Sequence, residues 1–115
     1  MKTLLRCVAV PIGLALIAFT APGQTTQTFQ AVVTVAPLQG LVKPLLPEGG
    51  ELTTLMQPGR SEHGYEFTPG DLAKLAGADL VVYVGLGLEP KIAEWLAEHP
   101  DPSRRVVEFA QAVGI

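Results

Sequence analysis

The chain has 115 residues, with eleven acidic and eight basic side chains, one cysteine and a formal net charge of −3. That length allows one small domain. The single cysteine rules out an internal disulfide framework, and the acidic balance argues against nucleic acid as a partner, because phosphate binding needs clustered Lys and Arg.

Residues 1–23 read as a secretory signal peptide. Lys2 and Arg6 form a basic start, Val8 to Phe19 is an apolar run broken by Pro11 and Gly13, and small residues near Ala21 and Gly23 offer cleavage sites. The run is short for a bilayer span, which leaves an uncleaved anchor as the alternative. Cys7 precedes the apolar run and is not placed like a lipoprotein cysteine. Without this segment the chain has no cysteine, hence no thiolate metal site, and its balance falls to six basic against eleven acidic residues.

Residues 24–30 are a polar leader. Ala31 to Ala36 is β-branched and nearly all apolar, which predicts the first strand. Pro37 suits a first helical position, and Leu38, Leu41, Val42 and Leu45 follow at helical spacing until Pro44 limits the helix. Pro47 to Gly50 is a turn, and Glu51 to Met56 is the second strand, ended by Pro58-Gly59. A polar, Gly-rich loop carries Glu62, His63 and Glu66. Thr68-Pro69-Gly70-Asp71 starts the next helix: Thr68 caps, and Asp71 can reach back to the cap N–H. Leu72, Leu75 and Ala76 are its expected buried face, with Gly77 as the residue that ends it.

Leu80 to Val84 is apolar at every position, as a strand covered on both faces should be. The turn Gly85-Leu86-Gly87 leads into a helix from Glu89 to His99, with Ile92, Trp95 and Leu96 on one face. Pro100 and Pro102 stop it, Arg105 to Phe109 is a fourth strand, and residues 110–115 hint at another element. The alternation predicts an α/β fold: a parallel four-stranded sheet flanked by helices, in strand order 2-1-3-4. Ligands of such sheets sit beyond the carboxyl ends of the strands. His63 follows the second strand and belongs to that edge.

Histidine is a good ligand for zinc and other first-row divalent ions, although a lone loop histidine is by default a solvated side chain. Glu62 is adjacent, and Glu66 is a weaker carboxylate candidate. Glu89 opens a helix, where a carboxylate is favoured, and also lies at the ligand edge. His99 reads as a helix-end residue. The pair Gly85-x-Gly87 is no dinucleotide fingerprint, because Pro90 stands where the third glycine would be, and no Walker loop or serine elbow is present.

The segments Gly59-x-Ser61-x-His63-x-Tyr65, Pro69-x-Asp71, Ala78 to Val82 and Gly85 to Glu89 resemble, in order and spacing, the metal-binding receptors of bacterial ATP-binding cassette importers for zinc and manganese. The resemblance spans about residues 31–113 and implies the first lobe of a two-lobed fold, residues 31–115 being an incomplete N-terminal lobe. It implies no enzymatic activity. It makes His63 the first metal ligand and leaves Glu62 as a second ligand or a surface charge. The implied ion is Zn2+, with Mn2+ the alternative, carried as cargo rather than as cofactor. The implied setting is the periplasm, with a membrane permease subunit as partner and a monomeric receptor. Tyr65 and Asp71 are expected as scaffold, and the remaining metal ligands would lie in later segments. A secreted interaction or adhesion domain that no longer binds metal tightly is the alternative.

Overall fold

The structure is a computed structural model and describes residues 23, 25–59 and 65–115. Four strands form one parallel sheet in the order β2-β1-β3-β4: β1 Gln30–Val35, β2 Glu51–Met56, β3 Leu80–Tyr83 and β4 Arg105–Glu108. The expected order is the observed one. Between the strands run α1 Ala36–Val42, α2 Pro69–Ala76 and α3 Pro90–Glu98, and α4 Phe109–Ala112 follows β4. Gln30, at the end of the polar leader, is the first residue of β1, and β3 and β4 each stop one residue short of the expected Val84 and Phe109.

The register fixes the faces. Val32 pairs with Thr53 and with Val81, so these side chains share one face, and Val33, Thr54 and Val82 share the other. A hollow bounded by Val32 and Thr53 on the sheet and by Ala73, Lys74 and Gly77 sets α2 over the first face. A right-handed return between β1 and β2 carries α1 to the second. Val33, Val81, Leu75 and Ile92 are sealed between the layers, all at or below 1% exposure.

Four local expectations are corrected. Leu41 and Leu45 do not join Leu38 and Val42 in the core; they are 53% and 82% exposed. The α-helix ends at Val42, and Lys43–Leu45 follows as a 3-10 turn. In α2, Leu75 is buried and Leu72 half-buried, but Ala76 is exposed at the helix end. Gly77 closes that helix at φ −89°, without the left-handed turn for which glycine is usually chosen. Glu89 and His99 flank α3 as its caps rather than lying inside it.

The amino ends of the strands are tied by Arg104, 8% exposed. Its Nη1 donates to Leu75 O at 3.1 Å, at the end of α2, and its Nη2 donates to His99 O, at the end of α3. The guanidinium lies 5.2 Å from the centre of the Trp95 ring, on which the His99 imidazole stacks at 4.5 Å. His99 thus serves as a helix end, as its position predicts.

Candidate metal-receptor edge

The carboxyl ends of β1, β2 and β3 meet the amino ends of α2 and α3, and two buried carboxylates organise this edge. The first is Asp71. Thr68 and Asp71 form the expected capping box: Asp71 N donates to Thr68 Oγ1, and Thr68 N donates to Asp71 Oδ2 at 3.1 Å. The same Oδ2 accepts from Tyr65 Oη at 2.6 Å and from Thr68 Oγ1 at 2.9 Å. Burial disfavours the Asp71 anion. The Tyr65 hydroxyl, the two Thr68 donors and the Lys74 ammonium outweigh that burial and hold its pKa below the ordinary 3.8. Tyr65 is itself buried, edge-on to Phe67 at 5.5 Å, and its hydroxyl lies 3.4 Å from Leu55 O near the end of β2.

The second carboxylate is Glu89, 3% exposed. Its Oε1 accepts from Thr34 Oγ1 at 2.5 Å and from Val84 N at 2.9 Å, and its Oε2 accepts from Gly85 N at 3.0 Å. One side chain at the start of α3 therefore joins β1 to the end of β3. It also fixes the turn in which Gly85, Leu86 and Gly87 all have positive φ, at 89°, 57° and 76°. Gly85 is obligatory twice over. Its φ is left-handed, and a Cβ there would come within 2.7 Å of Glu108 Cδ. Glu108 in turn accepts from Tyr83 Oη at 3.2 Å. Burial, then the charge and hydrogen bond of Glu108, then the charge of Glu89 push the Tyr83 phenol above its ordinary 10.0.

Glu89 is thus a scaffold of the ligand edge, its oxygens occupied by protein donors. Glu66 is paired with Lys91 Nζ at 2.5 Å, at an exposed site. A hollow of 40 Å³ between Met56, Tyr65, Phe67, Glu89 and Lys91 is far below the several hundred Å³ of a small-molecule pocket. His63 and Glu62, the two predicted ligands, lie outside the described residues, between Gly59 and Tyr65. Among the described residues no group of three or more His, Cys, Asp or Glu could hold a metal ion, and no helix is long and apolar enough to cross a membrane.

Thr34 is the residue the sequence reading missed. A hydroxyl in an otherwise apolar strand demands a partner once buried, and at 0% exposure Thr34 finds it in Glu89.

A family described as ZnuA, zinc-uptake complex component A periplasmic, has a model that matches residues 31–114. The chain belongs to the ZnuA family. This ZnuA-family chain is 30% identical over 78 residues to the iron-binding protein YfeA of Yersinia pestis, covering 68% of itself and 25% of that protein. It is 34% identical over 70 residues to the manganese-binding lipoprotein MntA of Bacillus subtilis, covering 61% of itself and 23% of MntA. Among solved structures it is similar to the periplasmic zinc-binding protein TroA of Treponema pallidum, at 34% identity and a TM-score of 0.66, over 74% of this chain and 30% of that one. The chain therefore spans about a quarter of the length of the curated relatives it matches. The family match agrees with the sequence resemblance and with the expected first-lobe fold. It does not favour the reading as a secreted interaction domain.

Proposed function

We propose that residues 31–115 form the metal-binding N-terminal lobe of an extracytoplasmic receptor for a divalent transition metal. Zinc is the favoured ion, on the strength with which imidazole sites bind it, and manganese is the alternative. The ion is cargo: it is captured by ligation and released, as a monomeric receptor, to the membrane permease of an ATP-binding cassette importer, with no bond made or broken. Residues 1–23 act as the signal peptide that exports the chain to the periplasm. The observation that carries this reading is the ZnuA-family match across 31–114, whose span includes the loop between β2 and α2. His63 is the first ligand, and Glu62 beside it is a second ligand or a surface charge. The names of YfeA, MntA and TroA, which bind iron, manganese and zinc respectively, support a first-row divalent ion.

A magnitude sets what this lobe does alone. A four-ligand structural zinc site is worth roughly 10–16 kcal/mol. Divided evenly, one ligand supplies about 3–4 kcal/mol, which corresponds to millimolar binding. Zinc titration of residues 24–115, which carry no cysteine, should therefore show weak binding that His63→Ala abolishes. Submicromolar binding untouched by His63→Ala would overturn the assignment.

A further inference from the structure

We draw no further inference here: the strongest candidate, the open hollow between Trp95, Glu98, His99, Asp101 and Arg104 at the amino ends of the strands, carries nothing, because its buried donor without an acceptor, Arg104 Nε, is sealed from solvent, the guanidinium is already met by the carbonyls of Leu75 and His99, and the lining charges oppose one another in sign, so that nothing in the structure shows what ligand it would take.

Discussion

Replacing Glu89 by glutamine changes one oxygen to an NH2 group and should be costly out of proportion to its size. The carboxylate faces two backbone donors, Val84 N on Oε1 and Gly85 N on Oε2, and the Thr34 hydroxyl as well. The amide nitrogen must replace one of those oxygens. In either orientation a backbone N–H then faces an N–H. Leaving a buried donor without an acceptor costs about 1–3 kcal/mol. The bonds that survive lose their charge assistance, which roughly halves their strength. Together these give about 2–4 kcal/mol, a large share of the roughly 5–15 kcal/mol that holds a domain folded. Urea unfolding at neutral pH, followed by circular dichroism, measures it. Thr34→Val alone leaves the carboxylate its two backbone donors and should cost about 1–2 kcal/mol. Because both changes act on one network, the double variant should lose less than the sum. A Glu89→Gln cost below about 0.5 kcal/mol, or strict additivity with Thr34→Val, would refute the account of Glu89 as the tie between β1 and β3.

Two further outcomes are expected. Gly85→Ala should destabilise by about 2–4 kcal/mol, from the left-handed backbone and the clash with Glu108, and Glu108→Ala should restore only the part due to the clash; thermal melts of both variants and their double measure the split. Asp71 has a folded-state pKa below its unfolded value, so its stabilisation is complete above about pH 4 and is lost as pH falls through the lower folded value. Asp71→Asn should therefore be less stable than the parent at neutral pH, and the gap should narrow in acid below about pH 4, as urea midpoints taken down the pH scale would show.

What the sequence disclosed was what its neighbours in the chain determine. The start of α2 is written in four adjacent residues, Thr68 to Asp71, and the capping box forms as their order requires. The strand order follows from right-handed crossovers once the alternation of elements is read. Leu41 and Leu45 lie at helical spacing with Leu38 and Val42 and are nevertheless exposed, because spacing names a stripe and not how much of it a neighbouring layer covers. Arg104 left no trace in any pattern, since its partners are the backbone carbonyls of Leu75 and His99 rather than side chains with a spacing. Glu89 could be placed on the ligand edge from its turn, but its bond to Thr34 joins residues 55 positions apart. The resemblance that named His63 and Glu62 rests on their motif, and both lie outside the described residues.

The position of β1 in the middle of the sheet has a consequence for how the chain is made. β1 and β2 leave the ribosome first, and β3, which pairs with the other side of β1, ends only at Tyr83. At about 5–20 residues per second, the 27 residues from Met56 to Tyr83 take roughly one to five seconds to add. For that interval the nascent chain carries a valine-rich edge with its N–H and C=O groups bare, the kind of surface that recruits other strands. A holding chaperone would matter most in that window.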